Sequence, residues 1–483
     1  MILEIINHQY SYDMRNLCTA FFPNERIRET YEADEDYSQE NIVVKTKKEN
    51  NILYISAKIF DKYSEQSRIV ENHGNEAEAM SVLLYSVLSS LTGFNPPWGI
   101  LYGVRPAKLM HRFCGEMGEE KARDYFINNF LVRERKADLT IEVMKRENEI
   151  ISLSRDNSFS LYVSIPFCPT RCSYCSFVSH SIERTKKLVE PYTDLLCREL
   201  KAIAEISENF GLRLETIYFG GGTPTTLSAE QLTRLFDTIE NNFDLSNLRE
   251  YTVEAGRPDT VTEEKLMALK SAGVGRISIN PQSFNDKVLE AIGRKHTSRQ
   301  TEEAFELARK CGFENINMDL IAGLPIDTLE SFENSVDRAV SLGAESVTVH
   351  TLAMKTAAYL VTKENAFDFS DRLITSDMVD YSDKRLHENG YYPYYMYRQS
   401  KSRGNLENVG WCKPNCDCLY KVYMMDETHS VFAAGAGAVT RLKNQHTEKI
   451  DRIYNYKYPY EYIDNFDEAL NRKKGIIKFY NEY

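Results

Sequence analysis

Three cysteines that lie close together in the chain have the spacing of an iron–sulfur site. Cys168, Cys172 and Cys175 form a C-x3-C-x2-C pattern within a chain of 483 residues. Thiolates are soft ligands that suit iron–sulfur clusters, and a four-iron cluster with three protein ligands keeps one iron open for another molecule. The alternatives are a zinc site and three neighbouring thiols without a shared ligand. Structural zinc normally needs four ligands, often as two CxxC pairs, and no second pair follows at that spacing.

A second group of cysteines lies near the carboxyl end. Cys412, Cys416 and Cys418 form C-x3-C-x-C, which could hold a second cluster or a metal, or act as a redox relay. No fourth ligand is evident nearby, so we interpret these residues as separate thiols.

Glycines and polar side chains occur where predicted strands end. Gly220, Gly221 and Gly222, followed by Thr223, come directly after a short strand, and a backbone without side chains can approach a ligand closely. A tight turn would use glycine in the same way. The polar residues at later strand ends are Glu254, Gln282, Arg294 and Asp319. Each alone is explained as a surface or capping residue, but strand ends at such faces commonly carry function.

The elements that must position these residues form a repeating pattern between residues 160 and 350. Short β-rich runs alternate with amphipathic stretches, as in successive βα units with a parallel sheet. Strands are predicted at residues 161–165, 216–219, 251–254, 276–280, 315–320 and 346–350. Helices are predicted at residues 188–206, 228–241, 263–272, 301–311 and 329–342. Six units are too few for a closed eight-stranded barrel, so the sequence predicts an α/β fold with an open, partial (β/α)6 barrel.

The flanks of this barrel predict two further regions. Before it, a hairpin at residues 41–46 and 51–59, a helix at 76–91 and a helical stretch beginning near 101 indicate an amino-terminal α+β domain. After it, a helix at 376–389, an aromatic strand at 391–397 and strand-like segments to the end indicate a carboxyl-terminal α+β segment that closes the site. The predicted domains are therefore residues 1–155, 156–365 and 366–483.

Composition and charge exclude several classes of protein. The net charge of −12 argues against binding nucleic acid through phosphate neutralisation. No apolar run reaches the roughly 20 residues that cross a bilayer, and the amino terminus lacks the basic start of a signal peptide. Ten cysteines in a chain of this length do not resemble a disulfide framework. We expect a cytoplasmic protein with reduced thiols and no membrane span.

Several motifs resemble those of radical S-adenosylmethionine (SAM) enzymes. The segment YVSIPFC at 162–168, which begins with Tyr162, and Tyr174 before the last cysteine resemble the signature of that superfamily. FGGGTP at 219–224, VE at 253–254, QSF at 282–284, Arg294 and DLIAGLP at 319–325 are similar to the oxygen-independent coproporphyrinogen III oxidase family. The flanking segments GVRPAK at 103–108, YRQ at 397–399 and GNLENVG at 404–410 look like its HemZ-type branch of coproporphyrinogen dehydrogenases.

The resemblance implies cofactors, a site and a reaction. Cys168, Cys172 and Cys175 would ligate one [4Fe-4S] cluster, to which one SAM, or one of two, would bind. A 5′-deoxyadenosyl radical from SAM would take hydrogen from a propionate of coproporphyrinogen III, and loss of carbon dioxide and an electron would leave a vinyl group. Two such steps would give protoporphyrinogen IX. The implied SAM-binding residues are Tyr162, Tyr174, Gly221, Gly222, Thr223, Glu254, Gln282, Arg294, Asp319 and Ile321.

One position departs from the family pattern and keeps a second function open. The best-known oxidases carry a fourth cysteine two residues after the third, where this chain, like haem-chaperone relatives, has Phe177. A haem-binding chaperone that retains the cluster and the SAM site is therefore the alternative, although the large amino-terminal domain favours the dehydrogenase. A radical enzyme that modifies RNA is disfavoured by the acidic charge.

The implied partners are a tetrapyrrole substrate and an electron donor and acceptor that the sequence does not identify. A tetracarboxylate needs cationic partners, whereas exposed lysines and arginines are usually solvated surface charges. The aromatic run at 391–397 could face a macrocycle, but alternating aromatic residues more often serve packing. The candidate cations outside the barrel are Arg105, Lys108, Arg112, Arg398 and Arg403.

Overall fold

The computed structural model describes residues 1–23, 25–32, 37, 39–70, 75–103, 105–175, 179–353, 370–399, 402–447 and 449–482. Phe177 and the predicted boundary between residues 365 and 366 lie outside this set. The described residues form two compact units. One comprises those of Met1–Met144, Glu364–Ser376 and Tyr397–Glu407, and the other comprises those of Lys145–Lys363, Asp377–Met396 and Asn408–Tyr483. The division into three domains stays a prediction.

The amino-terminal part of the chain has an α+β arrangement around a five-stranded sheet of order β2-β1-β3-β4-β5. The predicted hairpin is confirmed, because β3 and β4 pair antiparallel. Buried side chains of the sheet, including Val44 and Leu53, pack with Leu84 and Leu88 to form the core. The strands are β1 (Ile2–Ile6), β2 (Arg28–Thr30), β3 (Ile42–Glu49), β4 (Ile52–Ile59) and β5 (Lys62–Ile69). The helices are α1 (Ser11–Phe21), α2 (Glu76–Thr92), α3 (Pro106–Met117), α4 (Glu119–Asn128) and α5 (Glu134–Ile151).

The rest of the chain alternates strands and helices as the sequence predicts. The strands are β6 (Ser158–Ile165), β7 (Phe167–Cys168), β8 (His180–Ser181), β9 (Arg213–Gly221), β10 (Glu250–Glu254), β11 (Arg276–Ser278), β12 (Ile316–Ala322), β13 (Ser346–Thr351), β14 (Tyr392–Arg398), β15 (Glu407–Cys412), β16 (Ser430–Ala434), β17 (Val439–Lys443) and β18 (Ile450–Tyr454). The helices are α6 (Ile182–Asn209), α7 (Ala229–Asn242), α8 (Glu263–Ser271), α9 (Asp286–Ala291), α10 (Ser298–Lys310), α11 (Leu329–Ser341), α12 (Ser370–Glu388), α13 (Leu419–Asp426), α14 (Pro459–Asp464) and α15 (Phe466–Glu482).

The predicted parallel strands are confirmed as the centre of an 11-stranded sheet. Its order is β14-β15-β13-β12-β11-β10-β9-β6-β16-β17-β18, and β6 and β9 to β13 pair in parallel. The central strands are buried on both faces, as parallel strands between helices must be. Helices α7 and α11 begin where predicted, because the side chains of Ser228 and Thr328 accept backbone N–H bonds in the first turn. The mixed α/β fold class is thus as predicted.

The carboxyl-terminal segment differs from the expected run of strands. It also contains α13, α14 and α15, and its strands extend the barrel sheet: β16 pairs in parallel with β6, and β15 pairs antiparallel with β13. Helix α15 buries Phe466, Ala469, Ile476 and Phe479 at helical spacing. This pattern is obscured in the sequence because Lys473 occupies the same buried face. In the part of the chain that is described, no helix is long and apolar enough to cross a membrane.

Candidate functional site

The three cysteines lie on one loop that follows β6. Cys168 ends β7, which pairs with β8, so the chain returns close to where the loop begins. The N–H of Cys175 donates to the carbonyl oxygen of Cys172 at 3.1 Å, which forms a turn between the last two cysteines. All three side chains are half-buried. The loop therefore presents three partly accessible thiols at the carboxyl end of the first barrel strand.

The ends of the later βα units hold this loop in place. The N–H of Ser173 donates to the carbonyl oxygen of Ile292 at 3.0 Å, immediately after α9. Arg257, which is 3% exposed and follows β10, donates from Nη1 to Thr170 Oγ1 at 3.0 Å. Arg257 is itself fixed by two bonds to Asp259 of 2.9 and 3.0 Å. The loop is thus shaped by contacts distant in sequence.

The thiol set fits an iron–sulfur cluster. The three cysteine side chains are thiols on one loop, and thiolates are the ligands that such a cluster takes. Structural zinc normally takes four ligands. Burial raises the pKa of the Cys168 thiol, and hydrogen bonds from Thr223 and Ser179 oppose the shift. Bound iron would supply the positive charge that deprotonates such a thiol.

The glycine segment after β9 is bonded directly to the cysteine loop. The N–H of Gly222 donates to Ile165 O and the N–H of Thr223 donates to Phe167 O, both at 2.7 Å. A Cβ on Gly222 would lie 2.5 Å from Phe167 O and 3.0 Å from Cys168 Sγ. Only glycine permits this close packing of Gly222 against the cysteine loop, and its approach to a ligand stays a prediction. Because both N–H groups are used, a ligand here would meet carbonyl oxygens.

The two preceding glycines shape the same surface. Gly221 has a φ of 102°, in the left-handed region that favours glycine, and a Cβ there would lie 2.9 Å from Ser164 Oγ. A Cβ on Gly220 would lie 3.4 Å from the Glu254 carboxyl group. The glycine triplet therefore lets the backbone pack closely between the cysteine loop and Glu254.

Glu254 is a half-buried carboxylate at the end of β10. It accepts a short hydrogen bond from the Tyr218 hydroxyl. Burial raises the pKa of Glu254, while the Tyr218 bond and the charge of Lys421 act in the opposite direction. A carboxyl group held in this way can accept hydrogen bonds from hydroxyl or ammonium groups of a ligand.

Asp319 is a second carboxylate, on β12. Asn317 Nδ2 donates to its Oδ1 at 2.8 Å, and His350 Nε2 lies 3.7 Å from its Oδ2. Burial alone would raise the pKa of Asp319, but Lys421, His350 and Asn317 outweigh burial and hold the pKa well below its usual range. The side chain is 16% exposed, so a charged carboxylate remains reachable by a ligand.

Gln282 and Ile321 lie beside Asp319 through backbone pairing. The N–H of Gln282 donates to Asp319 O at 2.9 Å, and the N–H of Ile321 donates to Gln282 O at 3.0 Å. Gln282 has a φ of 67°, which is uncommon for a residue with a side chain and often marks functional sites. Ile321 belongs to a buried apolar cluster with Leu324 and Leu352.

Arg294 is a half-buried cation beside the cysteine loop. Its Nη1 donates to Asn280 O at 2.8 Å, and its Nη2 donates to the Tyr174 hydroxyl at 3.1 Å. Its Nε is buried and has no hydrogen-bond partner among the described residues. Tyr174 packs against the cluster that contains Ile321. A guanidinium with an unused donor is the group that a ligand carboxylate would meet.

The sequence-predicted site residues are therefore neighbours in space along the carboxyl ends of β6 and β9 to β12. The site offers three thiols for iron. It also offers glycine backbone, two carboxylates, a guanidinium and an apolar face. These groups match the chemistry of SAM, which carries an ammonium, a carboxylate, ribose hydroxyls and adenine. The residues present fit both groups.

Several residues of this site were not identified from the sequence. Tyr420, in the first turn of α13, stacks on Tyr218 with ring centroids 4.4 Å apart and on Tyr162 at 6.1 Å. Lys421 follows it, and its positive charge opposes the effect of burial on the pKa of Glu254 and of Asp319. No local pattern marks these residues, which lie far from the barrel motifs in sequence. Arg257 could have been identified from the sequence, because it lies just after a strand end.

The second cysteine group is held by three separate acceptors. Cys412 Sγ lies 3.6 Å from an Asp417 carboxylate oxygen, Cys416 Sγ lies 3.6 Å from Pro414 O, and Cys418 Sγ lies 3.3 Å from Glu250 Oε1. Burial raises the pKa of each of these thiols. These contacts agree with the interpretation as separate thiols.

Arg398, one of the candidate substrate cations outside the barrel, has a structural role, whereas Arg112 is exposed. Arg398 is 2% exposed and donates to the carbonyl oxygens of Leu101 at 2.9 Å and Asn405 at 3.1 Å. Arg112 lies 3.9 Å from Glu116 and over the ring of Phe113. Arg398 in particular serves to connect backbone segments.

Comparison with known proteins agrees with this site. Residues 162–339 match the model of the Radical SAM superfamily. An "Oxygen-independent coproporphyrinogen-III oxidase-like protein HemZ" of Bacillus subtilis is 38% identical over 398 residues, which cover 82% of this chain and 79% of the relative. A "Heme chaperone HemW" of the same organism is 36% identical over 309 residues, covering 62% of this chain and 77% of the relative.

Among solved structures, the coproporphyrinogen III oxidase HemN from Escherichia coli matches with a TM-score of 0.52 and 22% identity, over 69% of this chain and 73% of that chain. That likeness establishes the fold. Membership of the superfamily implies a [4Fe-4S] cluster and SAM. With the relative of 38% identity covering most of both chains, the protein belongs to the radical SAM family of oxygen-independent coproporphyrinogen III oxidase-like proteins and haem chaperones.

Proposed function

We propose that this protein is a radical SAM oxidoreductase that converts two propionates of coproporphyrinogen III to vinyl groups without oxygen. The observation that carries the proposal is the 38% identity to the HemZ protein over 82% of this chain, because the match extends well beyond the barrel. The proposed cofactors are one [4Fe-4S] cluster on Cys168, Cys172 and Cys175, and one or two SAM molecules.

Each site residue has a role that follows from its chemistry. The carbonyl oxygens of Gly221 and Gly222 accept from the SAM ammonium, since the N–H groups of Gly222 and Thr223 are already bonded. Arg294 donates to the SAM carboxylate with its unused Nε. Glu254 and Asp319 accept from the ammonium or ribose hydroxyls, as charged carboxylates do in other nucleotide sites.

The remaining predicted residues supply shape. Tyr174 and Ile321 offer the apolar face on which adenine packs. Gln282 holds its unusual φ between β11 and β12 and offers its amide to the ribose region. Tyr162, which stacks on Tyr420, closes the site floor and excludes water.

When bound, the cluster and SAM supply a one-electron reductive cleavage that creates a hydrogen-abstracting radical. The balance for each propionate is loss of one hydrogen atom to the nucleoside, one carbon dioxide and one electron to an acceptor not yet identified. The protein positions the propionate and keeps water out; we assign no side chain a bond-breaking role.

The test is anaerobic incubation of reconstituted protein with SAM, a reductant and coproporphyrinogen III. We expect 5′-deoxyadenosine and carbon dioxide to form together, with a vinyl product by mass spectrometry. The matched control is Cys172→Ser, which removes one ligand and should abolish all three products. SAM cleavage by the wild type without any vinyl product would refute the proposal.

A haem chaperone is the second candidate, supported by the 36% identity to a HemW protein and by Phe177. A chaperone would bind haem stably, transfer it to another protein and produce no vinyl group. Titration with haem, followed by size-exclusion chromatography and absorbance, distinguishes the two functions.

A further inference from the structure

The first turn of α13 lies inside the curve of the barrel sheet. Tyr420 stacks on Tyr162 of β6 and on Tyr218 of β9. The next residue, Lys421, has its Nζ 5.4 Å from the ring centroid of Tyr395 on β14. Contacts from strands so far apart in the sheet order converge on one helical turn only if the sheet curves around it.

The position of α13 is fixed by a buried carboxylate. Glu250 accepts the N–H of Leu419 at 2.5 Å and the N–H of Tyr420 at 3.3 Å, so it caps the helix. The carboxylate also accepts from the thiol of Cys418 at 3.3 Å. With its start capped and Tyr420 stacked, the helix carries Lys421 into the barrel on a rigid support.

Lys421 occupies a place that helix stability does not favour. A cation in the first turn opposes the helix dipole, and burial of an ammonium group costs free energy unless it is paired. The lysine is half-buried, and its charge opposes the effect of burial on the pKa of Glu254 and of Asp319, the two carboxylates of the proposed SAM site. Residues that break a local rule in this way are often functional.

The charge of the Lys421 ammonium group is opposite to that of the substrate carboxylates, to which no SAM-binding residue is assigned. An ammonium donates hydrogen bonds and cannot accept them, so its ligand partner must be an acceptor, best an anion. Asp319 and its neighbour His350 are 16% and 25% exposed, so a ligand can reach this region. Arg294 Nε is assigned above to the SAM carboxylate, and its Nη1 and Nη2 are already bonded to Asn280 O and to the Tyr174 hydroxyl.

We propose that Lys421 is the residue inside the barrel that binds a carboxylate of the tetrapyrrole substrate. This inference rests on the proposed function, because it takes the substrate to be a tetrapyrrole with propionate side chains. Lys421 is a positioning residue: it exchanges part of its interaction with Asp319 for the substrate carboxylate and holds the macrocycle beside the bound SAM.

The test is fluorescence titration of anaerobically reconstituted protein with coproporphyrin III and with its tetramethyl ester, which lacks the negative charges. We expect Lys421→Met to bind the free acid about tenfold or more weakly than the wild type, since a hydrogen bond to a charged group is lost, and to bind the ester unchanged. Lys421→Arg should retain most of the affinity. The control is Lys474→Met, at an exposed position.

Three results would overturn the inference. Unchanged acid binding by Lys421→Met shows that Lys421 makes no carboxylate contact. Equal weakening for acid and ester shows a role in shape and not in charge. Loss of SAM binding together with acid binding shows that Lys421 serves the cofactor. If Lys421→Met does not fold, Lys421→Gln is used for the same comparison. A wild type that binds neither acid nor ester refutes the tetrapyrrole proposal as a whole.

Discussion

Gly222→Ala tests the contact between the glycine segment and the cysteine loop. The new Cβ would lie 2.5 Å from Phe167 O, 2.8 Å from Ile165 O and 3.0 Å from Cys168 Sγ, whereas ordinary contacts begin at 3.4 Å. Two of these atoms are backbone, so the strands themselves must separate by about 0.9 Å at the tightest point.

The separation has an energetic cost and a chemical one. It weakens the two 2.7 Å hydrogen bonds that join the segments. Overpacking with partial loss of two hydrogen bonds should destabilise the fold by about 3 kcal/mol, or about 5 °C in Tm for a unit of roughly 300 residues. Because Cys168 is displaced, we also expect iron content and cluster absorbance after reconstitution to fall well below those of the wild type.

The matched control is Gly275→Ala, where a Cβ meets nothing within 4 Å and φ is not in the left-handed region. Iron and labile sulfide are quantified for both variants, and Tm is measured for the apoproteins. If Gly222→Ala binds iron and SAM like the wild type with an unchanged Tm, the cysteine loop does not depend on this contact and the reasoning fails.

Three further predictions concern buried charge. Lys473→Met should lower the free energy of unfolding by about 3–5 kcal/mol, because the Glu199 carboxylate 2.9 Å from Nζ is left buried without its cation; denaturant titration measures it. Burial lowers the pKa of His429 to about 4, so its imidazole stays neutral in the folded protein. The free energy of unfolding should therefore fall by up to about 3 kcal/mol as pH drops from about 6.5 to 4, because the unfolded state binds the proton more readily. The variant His429→Gln should flatten that decline. Arg257→Met removes a cation that bonds Thr170 in the cysteine loop, so the midpoint potential of the cluster should become more negative in an EPR-monitored titration.

Each has its own control. The double variant Lys473→Met, Glu199→Gln should recover part of the lost stability. If Lys473→Met alone is as stable as Lys474→Met, the argument is contradicted. The exposed His446→Gln should keep the wild-type pH profile. For Arg257→Met, a positive shift or no shift at full iron content would show that its charge does not act on the cluster.

Much of the fold was predictable because its signals are local. The buried strands β6 and β9 to β13 are short runs bounded by turn residues, and the intervening helices repeat apolar residues at helical spacing. The error at the carboxyl end has a cause that is not local. Helix α15 carries Lys473 on its buried face, and only pairing with Glu199 of α6, a residue distant in sequence, makes that burial possible.

The sequence alone identified the three cysteines of the loop, the glycine segment and the polar strand ends, since residue type and spacing indicate what they can bind. Tertiary structure decided what surrounds them. The sequence does not show that Gly222 lies against Cys168, that Arg257 holds Thr170, or that Tyr420 stacks on Tyr218. These contacts arise because parallel strands bring their carboxyl ends to one edge and the sheet curves around α13, and that arrangement depends on packing across the whole chain rather than on any local pattern.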